Sequence, residues 1–300
     1  MTMRYGISII GGGRIGRALG RRLREKGWKI HAVVTQSLPT AQRAVRSIGG
    51  GHARAAITSD VLSAPVLLLC VPDTALQGVV AQLASLGVSD MRGRAILHTS
   101  GTLDSQTLAP LRELGAGTAS LHPLQTFSGI GIPPLEGRIF VVEGDRRGLR
   151  MARLMARALG GQIVQMAQEK KPLYHAAAVM AAGQVLALEE AALQLLVYIG
   201  MKRREALKAL LPLTRQVLEN LEVVGPRAAW TGPLARSDYG VIAAHEAALQ
   251  SAPPGYLEAY RALSRLAARV LARDPDAILS ELSRISSKLE DHSKSKGTNA

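Results

Sequence analysis

Two groups of residues in this chain have the types and spacing to do chemistry. The first is Gly11-Gly12-Gly13-Arg14-Ile15-Gly16, a G-x-G-x-x-G run. It follows the apolar stretch Tyr5–Ile10 and opens a pattern from Arg14 to Lys26 in which Ile15, Ala18, Leu19 and Leu23 recur at helical spacing. In that setting Gly11 permits a tight turn, Gly13 lets the backbone approach a pyrophosphate, and Gly16 lets the helix lie close to the strand. Arg14 and Ile15 stand in the first helical turn, whose free N–H groups and positive dipole suit phosphates. The second group is Lys170-Lys171-Pro172-Leu173-Tyr174-His175. Lys171 and His175 share a helix face if Lys171 already lies in the helical turn. A lysine beside a second polar group can polarise a carbonyl and donate a proton to it. His122, in Leu121-His122-Pro123 at a strand end, is a third candidate. A capped helix start with an exposed lysine and a core histidine fits the same residues.

Other residues refine the ligand. A protein that takes NAD usually places an acid roughly 20 residues beyond the glycine run. This chain has Val34-Thr35-Gln36-Ser37-Leu38 there. Thr35 and Ser37 can bond a 2′-phosphate, and Arg14, Arg43 or Arg46 could neutralise it, so NADP is expected over NAD. Use of the deazaflavin F420 stays open, without a residue signal of its own. Two further strand ends, Val71-Pro72-Asp73 and Thr99-Ser100-Gly101, offer Val71, Pro72, Thr99 and Ser100 as cofactor contacts. In Thr231-Gly232-Pro233-Leu234-Ala235-Arg236-Ser237-Asp238, Ser237 or Asp238 can cap a helix over 239–250. Alternatively, Arg236 or Asp238 meets an anionic substrate.

These residues need elements to position them. Strand candidates are Tyr5–Ile10, Lys29–Thr35, Ala53–Ile57, Val66–Val71, Ala95–Thr99, Thr118–Leu121, Ile139–Val142 and Gln162–Met166, and helical patterns lie between them. Such alternation implies βαβ units and a parallel sheet. Past Gln168 nearly every segment has helical periodicity, interrupted at Gly200, Gly225-Pro226, Gly232-Pro233, Pro253-Pro254 and Asp274-Pro275. The expected fold is an α/β N-terminal Rossmann-type doubly wound sheet followed by an all-α C-terminal domain. The expected limits are 1–168 for the dinucleotide-binding domain, 169–291 for a helical substrate and dimerisation domain, and 292–300 for a disordered tail.

Composition narrows the function classes. The chain has 300 residues, 47% of them hydrophobic, with 3% aromatic residues and one cysteine, Cys70. One cysteine builds no intrachain disulfide and no cysteine-based zinc site, and no metal site is expected. No run of 18 uninterrupted apolar residues exists and the first apolar run is short, so neither a membrane span nor a signal peptide is expected, and a cytoplasmic location fits. Lys and Arg number 37 against 23 Asp and Glu, a formal charge of 37 − 23 = +14. That charge suits anionic small molecules. Nucleic-acid binding is not expected, because the basic residues are dispersed and stacking aromatics are scarce.

Taken together, Gly11–Gly16, Val71-Pro72-Asp73, His98-Thr99-Ser100-Gly101, His122-Pro123-Leu124-Gln125-Thr126-Phe127, Lys171 through Val179 and Thr231 through Asp238 resemble a bacterial family of oxidoreductases. Its members pair a Rossmann-like NADP-binding domain with a helical domain of uncharacterised function, DUF2520. The chain departs from the family pattern at Gly183, where an asparagine is common, and at Ser237, where a glycine is common. More distantly it is similar to the pyrroline-5-carboxylate reductases and to the 6-phosphogluconate and β-hydroxyacid dehydrogenases; Lys171 matches the catalytic lysine of these dehydrogenases by position, with His175 where their asparagine stands. The resemblance implies a homodimer through the helical domains and reduction of a small anionic carbonyl compound, such as a branched 2-keto acid of the ketopantoate kind. Lys171, His122 and His175 would be catalytic, and Arg236 would hold a carboxylate. Imine reduction of the pyrroline-carboxylate type and a non-catalytic NADP-binding redox sensor are the alternatives.

Overall fold

The computed structural model describes residues 5–297. The apolar runs of the first half become strands β1 (Gly6–Ile10), β2 (Lys29–Val34), β3 (His52–Arg54), β4 (Val66–Leu69), β5 (Ala95–His98), β6 (Gly117–Pro123), β7 (Ile139–Gly144) and β8 (Gln162–Gln165). They form one sheet in the order β3-β2-β1-β4-β5-β6-β7-β8. Strands β1 to β6 are parallel. Chain order reverses between β1 and β4, the switch point at which a doubly wound sheet opens a crevice for ligands.

Continuous βαβ alternation fails at one step. Residues 124–138 hold no helix, and β7 returns antiparallel to β6. Parallel return requires a crossover, usually a helix, and none is present here. Strand β8 then pairs parallel with β7.

Helices α1 (Arg14–Glu25), α2 (Leu38–Ile48) and α5 (Arg146–Ala158) cover one face. Leu19, Leu23, Ile48, Met155, Phe140 and Ile9 pack together there. Helices α3 (Asp73–Ala84) and α4 (Ala109–Glu113) cover the other, where Leu76, Leu83, Leu111, Leu67 and Ile96 pack. The central strand Val66–Leu69 is buried along its whole length, which explains its unbroken apolar run.

The chain divides into two compact units between Ala182 and Gly183, later than the boundary at 168 expected from the sequence. Helix α6 (Lys171–Val179) therefore belongs to the sheet unit. After a π-helical turn at Met180–Gln184, the second unit comprises α7 (Val185–Tyr198), α8 (Arg203–Ala229), α9 (Tyr239–Leu249), α10 (Tyr256–Leu271) and α11 (Pro275–Gly297). Helix α8 breaks at Gly225 (φ 76°, ψ 169°), ahead of Pro226. The core of this unit is small: Leu234, Ile242, Ala268, Ala272, Ile278, Leu282 and Ile285. Helix α11 continues to Gly297, so the tail expected over 292–300 is helical as far as it is described, and residues 298–300 lie outside the described residues.

The segment Gln168–Tyr198 is long and apolar enough by composition to cross a membrane, although it contains no uninterrupted apolar run of that length. Its first turns, however, are hydrogen-bonded into the sheet unit through Lys171, Tyr174 and His175.

Candidate functional site

The turn after β1 is built by steric necessity. Gly11 has φ +104°, and a side chain there would collide with the Cys70 carbonyl; a side chain at Gly16 would collide with Gly11 O. At Gly13 nothing lies within 4 Å of where a Cβ would stand. Gly13 also caps α1 without any side-chain bond to the helix start. That start leaves backbone donors beside open space, which fits a pyrophosphate. Above the carboxyl ends of β1, β2 and β4 lies an open cavity of about 860 Å³. Gly11, Gly13, Thr35, Ser37, Val71 and Pro72, all offered by the sequence as cofactor contacts, line it.

Among the described residues no carboxylate lines this cavity. At its edge Thr35 Oγ1 donates to Ser37 O at 2.8 Å, and Ser37 Oγ donates to Thr40 Oγ1 at 2.9 Å. Arg43 reaches the same Thr40 oxygen at 2.9 Å. Of the three arginines the sequence offered for a 2′-phosphate, Arg43 is thus the one tied to this rim. Arg14 lines a different, smaller cavity with Phe127 and Gly129, and neither Arg43 nor Arg46 lines the large one itself, Arg43 reaching it through Thr40. Ile15 packs against the core instead of facing ligand space. Thr99 and Ser100 are also corrections. Both are buried, and Ser100 Oγ accepts from the backbone of Thr102 and Leu103, which makes it a turn staple. Cys70 is equally inert, because burial pushes its thiol up to about 12.

The three residues proposed as catalytic do come together, by way of partners the sequence did not single out. Lys171 is fully buried. Its Nζ donates to Ser100 O at 3.0 Å and to Ser120 Oγ at 2.5 Å, and it lies 4.0 Å from Glu143 Oε1. Glu143, also buried, accepts from Ser105 N and Ser105 Oγ, both at 2.8 Å. Burial pulls the lysine down to about 8, opposed by the Glu143 charge, and raises the Glu143 carboxyl. The amine expected to face a reacting carbonyl therefore has its donors turned inward and ties α6 to the ends of β5 and β6.

The polar groups left beside it are histidines and a tyrosine. His122 Nδ1 lies 2.7 Å from the Tyr174 hydroxyl, and His175 Nδ1 lies 2.7 Å from Thr102 Oγ1. The two imidazoles meet edge to face with centroids 5.8 Å apart. Gly101 sits against both rings: a Cβ there would stand 2.9 Å from His122 Nε2 and would overlap the His175 ring. Burial, and then the Lys171 charge, pull His122 down to about 4, so it is neutral near pH 7. Burial pushes Tyr174 up to about 12, so it keeps its proton. His98, held between Asp104 O and the Ser100 amide, is a neutral core histidine brought down to about 3 by burial.

Tyr174, Glu143, Ser120, Thr102 and Gly101 were missed as site residues. Two left a trace. Tyr174 lies inside the Lys171–His175 motif, and Glu143 is the lone acid in the buried strand Ile139–Gly144.

The Thr231–Asp238 turn belongs to the helical unit. Arg236 Nε pairs with Asp238 Oδ2 at 3.1 Å, and both side chains are exposed. Ser237 adopts a left-handed conformation (φ 59°), and Asp238 stands at the start of α9 without a capping bond. Neither side chain caps the helix as expected, because the arginine takes the carboxylate. Among the described residues no group of three or more His, Cys, Asp or Glu could hold a metal ion.

A Rossmann-like domain model matches residues 1–123, and the domain of unknown function DUF2520 matches residues 138–267. The second match begins at β7, so DUF2520 includes the last two strands and α5 as well as helices of the second unit. No curated protein matches the chain. Among solved structures, an inferred NADP oxidoreductase from Bacteroides fragilis is similar at 20% identity and TM-score 0.71, over 88% of this chain and 97% of that one. A protein from Thermotoga maritima is similar at 24% identity and TM-score 0.66, over 87% and 96%. A reductive aminase from Aspergillus terreus, in complex with NADPH and ethyl-5-oxohexanoate, is similar at 20% identity and TM-score 0.67, over 89% and 94%. These likenesses establish the shared fold. The two domain models match in order along the chain, a Rossmann-like domain followed by DUF2520.

Proposed function

We propose that this protein is an NADP(H)-dependent oxidoreductase that reduces a small C=O or C=N compound. The observation that carries the reading is the acid-free cavity over the glycine turn, with Thr35, Ser37, Thr40 and Arg43 grouped where a 2′-phosphate would lie. A carboxylate at that position would repel the phosphate, whereas hydroxyls and a guanidinium bind it. The NADPH complex of the similar reductive aminase supports the choice of cofactor.

A bound reduced nicotinamide would supply the hydride. The chain's own residues would manage the proton. Tyr174 donates it to the substrate oxygen or nitrogen, and His122, as the Nδ1–H tautomer, hydrogen-bonds the phenolate that remains. His175, fixed by Thr102, closes the other side. Lys171 is a positioning residue in this scheme. It holds α6, and therefore Tyr174 and His175, against the strand ends.

Both C=N and C=O substrates remain within the reading. The similar reductive aminase, and an imine reductase from Pseudomonas sp. at 20% identity, support C=N. The branched 2-keto acid version asked Arg236 to hold a carboxylate, and Asp238 already occupies that guanidinium. A non-catalytic NADP sensor is the second reading, favoured by the inward-turned Lys171 and by Gly183.

The helical unit supports pairing with a second copy. Leu186, Ile199, Leu213 and Val223 are 70%, 75%, 63% and 81% exposed, and exposed apolar side chains grouped on helices suit an interface. A homodimer through α7 and α8 would cover it.

Oxidation of NADPH in the presence of cyclic imines, amine–ketone pairs and 2-keto acids tests the reading, with Tyr174→Phe beside the wild type. Turnover that falls about 100-fold in Tyr174→Phe at unchanged NADPH affinity is expected. NADPH binding without turnover of any compound class would move the assignment to the sensor.

A further inference from the structure

The remaining unexplained feature is the positive charge. Much of it collects on one helix. Helix α5 carries Arg146, Arg147, Arg150, Arg153 and Arg157 and no acid. Arginines three and four residues apart on a helix repel one another unless something compensates. Asp145, the N-cap, spends its carboxylate on the amides of Arg147, Gly148 and Thr118 and on the Thr118 hydroxyl.

At the opening ends of β5 and β6, an open cavity of about 330 Å³ is lined by Arg92, Arg94, Arg147 and Arg150, with Met151 beside them. The dinucleotide turn lies at the other ends of the strands. The convergence is built into the backbone. A Cβ at Gly117 would stand 2.6 Å from Arg147 Cβ and 2.9 Å from Gly148 N. A Cβ at Gly115 would stand 2.7 Å from Arg92 Cγ. Both glycines let basic segments close in where any side chain would hold them apart. Arg94 is fixed in place, because its Nε donates to Leu62 O at 3.0 Å and a terminal nitrogen donates to Asp90 O at 3.4 Å. Arg92 pairs with Asp90 at 2.9 Å, and no carboxylate is among the described residues that line the cavity. The guanidiniums of Arg147 and Arg150 have no acceptor among the described residues.

We propose that this cavity is a binding site for a compact phosphate-bearing anion, distinct from the dinucleotide site. The unengaged guanidinium forks of Arg147 and Arg150, with the fixed charge of Arg94 beside them, match the oxygens of a phosphate or pyrophosphate group. The concave shape, and the engagement of Arg153 by Gln165 further along α5, favour a compact anion over a polymer laid along the helix. The site does not depend on which reaction the chain performs.

Calorimetric titration of inorganic pyrophosphate into the full-length protein, with and without excess NADPH, tests the proposal. One saturable site that persists under NADPH is expected. Its affinity should fall at least about tenfold in Arg147→Gln/Arg150→Gln, with the Arg153→Gln/Arg157→Gln pair within about twofold of wild type. NADPH affinity, read by nicotinamide fluorescence, should be unchanged in both variants, which separates loss of this site from misfolding. Absence of saturable binding under NADPH, equal weakening by both arginine pairs, or binding of a short DNA duplex that exceeds pyrophosphate and depends on Arg153 and Arg157 would each overturn it.

Discussion

The two units of this chain treat their apolar side chains differently. In the sheet unit Phe140, Leu19, Leu67 and Leu83 are fully buried between the sheet and its helices. In the helical unit most of α7 and α8 contributes nothing to the local core, and Val223, Ile199 and Leu186 face outward. Their polar groups differ less sharply. The sheet unit encloses Lys171 and Glu143 and gives both hydrogen-bond partners. The helical unit keeps Arg203 with Glu190 and Arg236 with Asp238 at the surface, and encloses Glu246, which accepts from the half-buried Arg261 at 2.7 Å. One unit covers its own apolar side chains and can hold a fixed site, whereas the other leaves those of α7 and α8 exposed.

The largest effect that would break this comparison is expected at the buried pair. Lys171→Met leaves the Glu143 carboxylate buried without its cation and should cost about 3–5 kcal/mol in chemical denaturation. Lys171→Met/Glu143→Gln should recover most of that loss. If the single variant is as stable as wild type, the buried tether is not what holds α6.

Next in size is a matched pair of truncations. Phe140→Ala should cost about 3–5 kcal/mol, as core truncations do. Val223→Ala should stay within about 0.5 kcal/mol at protein concentrations too low for association, and its cost should grow where copies pair. Equal costs at both positions in dilute protein would erase the contrast between the units.

A smaller effect comes from His122, whose folded state favours the neutral ring. The unfolded chain binds a proton near the ordinary 6.5 and the folded site only near about 4. Stability associated with this residue is therefore intact above about pH 6.5 and is lost as pH falls toward 4. The Tm of His122→Asn should decline less steeply than that of wild type across this window, and identical slopes would contradict the buried neutral assignment.

The fold was legible where local pattern and global fold agree. Val66–Val71 reads as a central strand because both its faces are buried, and Gly11–Gly16 reads as a ligand turn because strand and helix flank it. The antiparallel return of β7 escaped because 124–138 has the length of a crossover without a helix. The domain boundary escaped for a different reason. Helical periodicity does begin near Gln168, but Lys171 bonds residues 71 and 51 positions earlier, and no local pattern reports such contacts. The same distance hid Ser120 and Glu143, whereas Lys171, His122 and His175 stood out because their side chains are chemically conspicuous.

The central claim is the cofactor, and titration of NADPH and NADH against the full-length protein, wild type and Arg43→Ala, tests it most directly. NADPH should bind at least about tenfold more tightly than NADH, and Arg43→Ala should remove most of that preference while leaving NADH affinity unchanged. Binding of neither nucleotide, or tighter binding of NADH, would contradict the account.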